Sequence, residues 1–382
     1  MGCFSVVEAL KKRGHEIKVL TSTYGVISPE SDIGIYRELK LNIYWKKQNR
    51  IIKILKLIPD EIYNQRVFKK LCSDFDPEII YFWNLSGLSM SLVFSAQKNK
   101  LPVCYYVFDE WLSEWQKTSP GLVRFICKEL FYLFLKTLHL QLPSGKLDLN
   151  YAQFASKYLK KTTLQIESTD NDEQILPWGL DIKSYPYKEI SSNPKSLLYA
   201  GQLVPHKGVH TAVEALKIIT QKQMYKSTVL TIVGGAVIPE YKTYLIKLIN
   251  DLGLEKNVRF GGSVKRESLP SIYREHDILI FPSIWNEPFG ITLLEAMSSG
   301  LAIVGTGTGG SAEIIKDNVN ALIFEKENAE ACADRIMRLM KDSVLFETLR
   351  KNGRETVEKY FSIDKMIDKI EDSLNRVVES NR

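Results

Sequence analysis

The sequence has no apolar run long enough to span a bilayer, and it contains little cysteine. Its five cysteines are scattered along 382 residues, and no two of them form a C-x-x-C pair. This argues against a disulfide framework or a zinc site and is typical of a reducing compartment. The sequence also lacks a P-loop and a Ser-His-Asp or Cys-His constellation. It therefore gives no indication of chemistry that depends on a metal, a P-loop or an activated nucleophile.

Length and composition are those of a globular protein with two domains. The chain has 382 residues, of which 45% are hydrophobic and 25% charged. Its net charge is +6, and residues 40–70 hold nine basic residues but only two acidic ones. Apolar residues at helical spacing run from Ile51 to Ile58, and we expect this segment to end at Pro59. Two interpretations stay open: a helix on an anionic membrane surface, or the solvated face of an ordinary helix.

Strands alternate with helices along the chain. The periodicity predicts a helix over Phe4–Lys12 and strands over 15–22, 76–84 and 101–111. Such alternation is typical of α/β domains with doubly wound parallel sheets. Glycine and proline cluster over residues 175–186, which predicts a domain boundary close to Gly179.

Residues 278–310 are the most informative stretch. An apolar strand, Ile278–Phe281, leads into a loop and then a helix that stops near Gly300. Two carboxylates are present, Glu287 in the loop and Glu295 in the helix. The free N–H groups at the start of such a helix bind phosphate, whereas carboxylates accept hydrogen bonds from hydroxyl groups. The pattern therefore predicts a ligand with phosphate in the middle and hydroxyls at both ends, which describes a nucleotide sugar.

The segment EPFGITLLEAMSSG, residues 287–300, resembles the Glu-x7-Glu motif of retaining glycosyltransferases of family four, the glycosyl transferases group 1 set. The resemblance implies a GT-B fold, in which two Rossmann-like, doubly wound domains face each other across a cleft. It assigns Glu287 to the transferred sugar, as a catalytic residue, and Glu295 to the ribose of the donor. It also implies that four residues line the diphosphate and sugar: Phe289, Gly290, Ile291 and Thr292.

A second loop of interest follows the apolar strand Leu197–Ala200. Gly201 and Gln202 begin this loop and are donor-binding candidates, and Lys207 stands just before a helix. A lysine beside phosphates neutralises a leaving diphosphate, so we assign Lys207 to catalysis. The family usually has an arginine where Gln202 stands, and a neutral amide cannot offset phosphate charge. A third loop, the glycine-containing turn 307–315, is predicted to have only turn and packing roles.

The first domain matches the family less well. Many members place a histidine after the strand that corresponds to 103–107, and this chain has Phe108, Asp109 and Glu110 there. Asp109 is a catalytic candidate that would orient the acceptor hydroxyl, with a helix N-cap as the alternative. The apolar, aromatic segment 122–138 is either a buried helix or a surface that holds a lipid-linked acceptor.

The resemblance also predicts the domain limits. Residues 1–179 would form the acceptor-side domain, residues 180–361 the nucleotide-sugar-binding domain, and a helix in 362–382 would cross back to the first domain. The family begins with a strand and a glycine-rich loop, whereas this sequence starts just before the first helix. We therefore expect the first domain to lack its N-terminal strand, with unpaired edges near Ile17–Leu20 and Pro102–Val107. Because buried unpaired backbone groups cost about 1–3 kcal/mol each, we expect poor folding or low activity.

Together these patterns predict a retaining glycosyltransferase that needs neither a metal nor another cofactor. Its donor would be a nucleoside-diphosphate sugar carrying UDP or GDP. Its acceptor would be a saccharide or a lipid-linked saccharide, in polysaccharide or glycolipid synthesis. We expect a cytoplasmic protein, peripheral at the inner membrane face, with no nucleic-acid partner. Two alternatives stay open: a nucleotide-sugar 2-epimerase or phosphorylase on the same scaffold, and a catalytically weak or silent GT-B module that binds sugars or a partner enzyme.

Overall fold

The computed structural model describes residues 2–24, 34–41, 50–88, 90–113, 147–165, 172–188 and 196–381. The chain divides into two compact units. The first unit contains Met1–Phe154, Leu159–Leu176 and Ile367–Arg382, and the second contains Ala155–Tyr158 and Pro177–Met366.

The first unit consists of short parallel strands with helices between them. Its strands are β1 (Val19–Ser22), β2 (Ile35–Leu39), β3 (Ile80–Phe82), β4 (Val103–Val107) and β5 (Ala152–Phe154). The helices in this part of the chain are α1 (Gly2–Lys12), α2 (Arg50–Phe75), α3 (Ser91–Lys98) and α4 (Lys157–Leu164). β1 pairs with β2, and β3, β4 and β5 form a second sheet in that order. The predicted first helix is confirmed and begins two residues earlier than expected, and the three predicted strands are confirmed with shorter bounds.

Strand β4 has a neighbour on each side, so the expected unpaired edge near Pro102–Val107 is wrong. Tyr105 in β4 pairs with Phe82 of β3 on one side and with Ala152 of β5 on the other. The residues from Cys104 to Val107 are also fully buried. The sequence-based expectation failed because β5 is only three residues long and was not recognised as a strand.

Helix α2 continues through Pro59, where the sequence predicted an end. A proline inside a helix removes one backbone hydrogen bond and costs about 3 kcal/mol. Tertiary contacts beyond the proline offset this cost. The buried Asn64 side chain accepts a hydrogen bond from the Lys40 N–H at 2.8 Å and donates one to the Lys40 carbonyl at 2.9 Å.

Two of the predictions fall on parts of the chain that the structure does not describe. They concern the side chains of residues 51–58 and the apolar segment 122–138. Both interpretations of each segment therefore stay predictions.

The second unit contains a six-stranded parallel sheet in the order β11-β10-β9-β6-β7-β8. Its strands are β6 (Ser196–Ala200), β7 (Val229–Val233), β8 (Val258–Gly262), β9 (Ile278–Phe281), β10 (Ala302–Gly305) and β11 (Leu322–Ile323). The helices along this part of the chain are α5 (Val209–Thr220), α6 (Pro239–Asp251), α7 (Leu269–Arg274), α8 (Ile291–Ser298), α9 (Ser311–Ile314), α10 (Ala329–Lys341), α11 (Ser343–Tyr360) and α12 (Ile363–Ser380). The alternation is the doubly wound α/β arrangement that the sequence predicted.

The strand order reverses between β6 and β9. From β6 the chain adds β7 and β8 on one side of the sheet, and it then adds β9, β10 and β11 on the other. Ligands of doubly wound sheets bind at the carboxyl ends of the strands where the order reverses. The loops that leave β6 and β9, residues 201–208 and 282–290, therefore mark the expected ligand site.

Backbone contacts join these two loops closely. Gly208 has a φ of +68°, and a Cβ atom at this position would lie 2.0 Å from the carbonyl oxygen of Pro282. The Ile284 N–H also donates a hydrogen bond to the carbonyl of His206 at 2.9 Å. Only glycine allows this approach, since any side chain at position 208 would push the loop after β9 away.

Alanine substitutions at two glycines test this packing. Gly253 has nearly the same backbone conformation, with φ +67°, but a Cβ atom there has no neighbour within 4 Å. Both Gly208→Ala and Gly253→Ala bring the left-handed strain of about 1–2 kcal/mol, and only Gly208→Ala adds a steric clash with backbone. We expect Gly208→Ala to lower the melting temperature several times more than Gly253→Ala in thermal unfolding. Equal losses would contradict the close packing of the two loops.

Candidate functional site

Glu287 lies in the loop after β9 and is 4% exposed. Its two carboxylate oxygens both accept hydrogen bonds from Lys207 Nζ, each at 2.8 Å. Ser283 Oγ donates a third hydrogen bond to Oε1 at 2.6 Å. The sequence assigned Lys207 and Glu287 to different parts of a ligand, and the structure pairs them directly. The pair places one buried negative charge and one half-buried positive charge at the carboxyl ends of the central strands.

A second loop, residues 306–310, holds the Glu287 loop in place. Thr306 Oγ1 donates to the Ser283 carbonyl at 2.7 Å, and Thr308 Oγ1 donates to the Trp285 carbonyl at 2.6 Å. The Gly310 N–H donates to the Glu287 carbonyl at 2.6 Å. The sequence predicted only turn and packing roles for 307–315, and this packing is what fixes the backbone of the catalytic candidate.

The loop after β6 brings Lys207 to Glu287. The Gly201 N–H donates to the Val233 carbonyl at 2.9 Å, which ties the start of the loop to β7. Lys207 ends a short 3-10 turn, and its Nζ lies 5.3 Å from the centre of the Trp285 ring. Gln202 is exposed. The loop thus offers one cation and a neutral amide, as the sequence indicated.

The N-terminus of α8 lies beside Glu287. Gly290 begins this helix with a φ of +127°, and Gly290, Ile291 and Thr292 are half-buried. The first N–H groups of a helix have no partner within it, so this end of α8 can bind an anion. Phe289 differs from these three, because its ring is 2% exposed and packs against Phe361, with the ring centres 6.0 Å apart. Its side chain supports the loop from inside.

Glu295 lies within α8 and is 5% exposed. Tyr185 donates its hydroxyl to Oε1 at 2.9 Å, and Tyr273 donates its hydroxyl to Oε2 at 2.9 Å. Arg266 Nη2 approaches Oε1 at 3.5 Å. The motif predicts Glu295 but none of these three partners, because they come from separate segments and have no motif spacing.

Two arginines of α11 hold the segment that carries Tyr185. Arg354 Nη1 donates to the Tyr185 carbonyl at 2.9 Å and to the Ser298 carbonyl at the end of α8 at 2.7 Å. The fully buried Arg350 donates to the carbonyls of Lys188 and Gly300. The guanidinium groups therefore join the C-terminal end of α8 to the Tyr185 segment, which keeps the tyrosine hydroxyl at Glu295.

The environment of Glu295 disfavours its charge. Burial raises the pKa of Glu295 above its ordinary value, and the hydrogen bonds from Tyr185 and Tyr273 and the charge of Arg266 lower it only in part. Burial also raises the pKa of both Tyr185 and Tyr273, so their hydroxyls remain protonated donors. A carboxylate with such a shifted pKa beside the expected ligand site is typical of a functional group.

Asp109 belongs to the first unit and follows β4. Its Oδ1 accepts a hydrogen bond from the Trp111 N–H at 3.1 Å, and its Oδ2 accepts one from Asn84 Nδ2 at 2.6 Å. The first of these contacts is the one expected of a residue that caps a helix start, the alternative noted from the sequence. The role of Asp109 in orienting an acceptor stays a prediction.

The arrangement in the second unit suits a ligand with a central anion and hydroxyl groups on both sides. The N-terminus of α8 supplies N–H donors, and Lys207, paired with Glu287, supplies a cation. Glu287 precedes the helix in the chain, Glu295 lies inside it, and both supply hydrogen-bond acceptors. Among the residues that the structure describes, no group of three His, Cys, Asp or Glu side chains is placed to hold a metal ion. Nor does any helix in the described ranges have the length and apolarity to cross a membrane.

Comparison with solved structures identifies the class of fold. A sucrose-phosphate synthase from Thermosynechococcus elongatus superposes with a TM-score of 0.72 at 19% identity, covering 98% of this chain and 92% of that one. The fold is that of the GT-B glycosyltransferases. Residues 184–356 match the model of the family described as Glycosyl transferases group 1. This match agrees with the resemblance based on the Glu287–Glu295 motif.

Two curated relatives show how far the sequence similarity extends. The "Uncharacterized glycosyltransferase MJ1607" of Methanocaldococcus jannaschii is 30% identical over 223 residues, 55% of this chain and 55% of that protein. The "UDP-Gal:alpha-D-GlcNAc-diphosphoundecaprenol alpha-1,3-galactosyltransferase" of Escherichia coli is 27% identical over 214 residues, 56% of this chain and 51% of that protein. The matched part thus spans about half the length of each relative.

The raised pKa of Glu295 predicts a stabilising substitution. Above its pKa the folded protein holds a poorly solvated charge, and this destabilising contribution disappears when the carboxylate is protonated. We therefore expect Glu295→Gln to raise the melting temperature at mildly alkaline pH, with a difference that shrinks as the pH falls. Thermal unfolding across pH measures this, with the exposed Glu325→Gln as the control. A lower melting temperature of Glu295→Gln at alkaline pH would contradict the prediction.

Proposed function

We propose that the protein transfers a sugar from a nucleoside-diphosphate sugar to an acceptor hydroxyl, with retention of anomeric configuration. The observation that carries the proposal is the placement of two buried carboxylates near the N-terminus of α8, Glu287 in the loop before it and Glu295 inside the helix. A carboxylate repels an anion, so at an anion site it is useful as an acceptor for the neutral hydroxyl groups of the same ligand. A sugar on one side of a diphosphate and a ribose on the other provide those hydroxyls.

Each part of the donor has residues that fit it. The diphosphate would bind the N–H groups of Gly290, Ile291 and Thr292 and the loop that begins with Gly201 and Gln202. Glu287 would accept hydroxyls of the transferred sugar. Glu295 would accept hydroxyls of the ribose. Backbone contacts dominate the diphosphate site, so we propose UDP or GDP as the carrier without choosing between them.

Lys207 would exchange Glu287 for the diphosphate during the reaction. In the structure it neutralises Glu287, with Nζ 2.8 Å from each carboxylate oxygen. When the donor binds, the ammonium group would turn to the diphosphate, and sugar hydroxyls would take its place on Glu287. Lys207 and the helix N-terminus then supply positive charge to the leaving group, so we propose that no metal or other cofactor is needed.

The reaction would be a displacement on one face of the sugar. The bond from the anomeric carbon to the phosphate oxygen breaks, and a bond from the acceptor oxygen forms on the same face. The acceptor proton passes to the departing phosphate oxygen, so no protein side chain has to accept it. The protein positions both substrates and stabilises charge. Gln202 contributes only hydrogen bonds to this stabilisation, because it carries no charge.

The acceptor is proposed from the name of a similar protein and from charge. The similar E. coli protein is named for a lipid-diphosphate-linked saccharide acceptor. We propose a saccharide or lipid-linked saccharide acceptor, in polysaccharide or glycolipid synthesis, with Asp109 orienting its hydroxyl. A cytoplasmic location at the inner face of an anionic membrane would agree with the basic residues of 40–70.

A catalytically silent sugar-binding module is the second candidate. It is favoured by Gln202, which stands where the resemblance implies an arginine, and by the direct Lys207–Glu287 pair. A silent module would bind a nucleotide sugar without consuming it. Release of nucleoside diphosphate from the donor, with water or an added saccharide as acceptor, separates the two candidates.

Substitutions of the two carboxylates should affect different kinetic parameters. Glu287→Gln should lower kcat on the order of a hundredfold with a smaller effect on donor affinity, because it removes charge at the reacting sugar. Glu295→Ala should chiefly weaken nucleotide binding. Steady-state kinetics with the donor that the wild type consumes measures both, and the exposed Glu325→Gln should behave as the wild type. Wild-type kinetics in both variants would show that the site lies elsewhere.

A further inference from the structure

Arg266 is the solvent-side partner of Glu295. It opens a short 3-10 turn after β8, and its Nη2 lies 3.5 Å from Glu295 Oε1. Its side chain is 36% exposed, whereas that of Glu295 is 6% exposed. The two other donors to Glu295, Tyr185 and Tyr273, are 4% and 1% exposed. Of the three donors, Arg266 alone is in a position to move into solvent without leaving a buried polar group.

The hydrogen-bonding capacity of Glu295 is nearly used up. A carboxylate has about four lone-pair sites. Oε1 accepts from the Tyr185 hydroxyl and from Arg266, and Oε2 accepts from the Tyr273 hydroxyl. About one site therefore remains, on Oε2, for a ligand.

A ribose has two neighbouring hydroxyl groups and so donates two hydrogen bonds. One can use the remaining site on Glu295, and the other needs a site that is occupied. The tyrosine hydroxyls are held in the buried interior at 2.9 Å, while the Arg266 contact is the longest of the three. A half-exposed ion pair at such a distance contributes little to stability, so Arg266 is the partner that a ribose can replace.

We propose that Arg266 is a displaceable counter-ion that the ribose of a nucleoside diphosphate expels from Glu295, and that it thereby limits the preference of the site for ribonucleotides over 2′-deoxyribonucleotides. The inference rests on the proposed function, in which Glu295 binds the ribose. In the structure Arg266 partly compensates the buried negative charge of Glu295.

Displacement of Arg266 affects ribonucleotides and 2′-deoxyribonucleotides differently, so the direction of the change can be predicted. A 2′-deoxyribonucleotide presents one hydroxyl, which the free site on Glu295 accepts while Arg266 stays in place. A ribonucleotide presents two, and it alone bears the cost of displacing Arg266. Removing Arg266 should therefore improve the binding of ribonucleotides relative to their 2′-deoxy forms.

The test is the ratio of dissociation constants, Kd of the 2′-deoxynucleotide over Kd of the ribonucleotide. Isothermal titration with UDP and dUDP, GDP and dGDP, and ADP and dADP gives this ratio at mildly alkaline pH. Arg266→Gln should raise the ratio about two- to fivefold, the range expected for loss of an exposed ion pair. Arg274→Gln, an exposed arginine on α7, is the matched control and should leave the ratio unchanged.

The same measurement in a Glu295→Gln variant shows whether the effect of Arg266→Gln on the ratio depends on Glu295. In Glu295→Gln the ratio should fall towards one, and adding Arg266→Gln to it should change nothing further. An unchanged or lower ratio in Arg266→Gln alone would overturn the displacement, since a lower ratio means that Arg266 itself binds the ribonucleotide. An effect of Arg266→Gln that persists in the Glu295→Gln background would also overturn it.

The outcomes separate this inference from the proposed function. If the wild type binds none of the nucleotides, the proposed function fails together with this inference. If the wild type binds them and Arg266→Gln leaves the ratio unaltered, only the role of Arg266 is refuted.

Discussion

Two buried carboxylates beside the positive end of one helix are the constraint on which the rest of the site depends. The side chains of Glu287 and Glu295 are each 6% exposed. Burying a carboxylate is unfavourable unless charges and hydrogen bonds compensate it. The second unit supplies compensation to each: Lys207 and Ser283 to Glu287, and two tyrosines and an arginine to Glu295. In both cases a more exposed cation lies on the solvent side, where a ligand would arrive.

The fold makes these contacts possible because the strand order reverses between β6 and β9. The reversal places the loops after these two strands side by side, and glycine at position 208 lets their backbones touch. Lys207 reaches Glu287 through this contact. At the C-terminal end of α8, Arg350 and Arg354 join the helix to the segment that carries Tyr185. The site is therefore held by loops and helix ends, while the sheet beneath it provides the rigid support.

The sequence predicted the doubly wound fold and the motif residues, because strand periodicity and the spacing of Glu287 and Glu295 are local properties. It did not predict Tyr273 or Arg266 as partners of Glu295, since these contacts arise only when separate segments pack together. For the same reason the pairing of Lys207 with Glu287 was missed. Two local rules also failed where packing overrode them: α2 passes through Pro59, and the three-residue β5 covers the second edge of β4.

Thermal unfolding with a panel of ligands tests the central claim that the site around Glu287 and Glu295 binds a nucleoside-diphosphate sugar. UDP-, GDP- and ADP-sugars should be compared with the free sugars and with inorganic phosphate. A ligand that binds only the folded protein adds about 2.7 kcal/mol of stability at 100 times its dissociation constant. We predict that at least one nucleoside-diphosphate sugar raises the melting temperature of the wild type, and that Glu295→Ala abolishes this shift. An unshifted melting temperature with every nucleotide sugar, or the same shift in Glu295→Ala, would contradict the account.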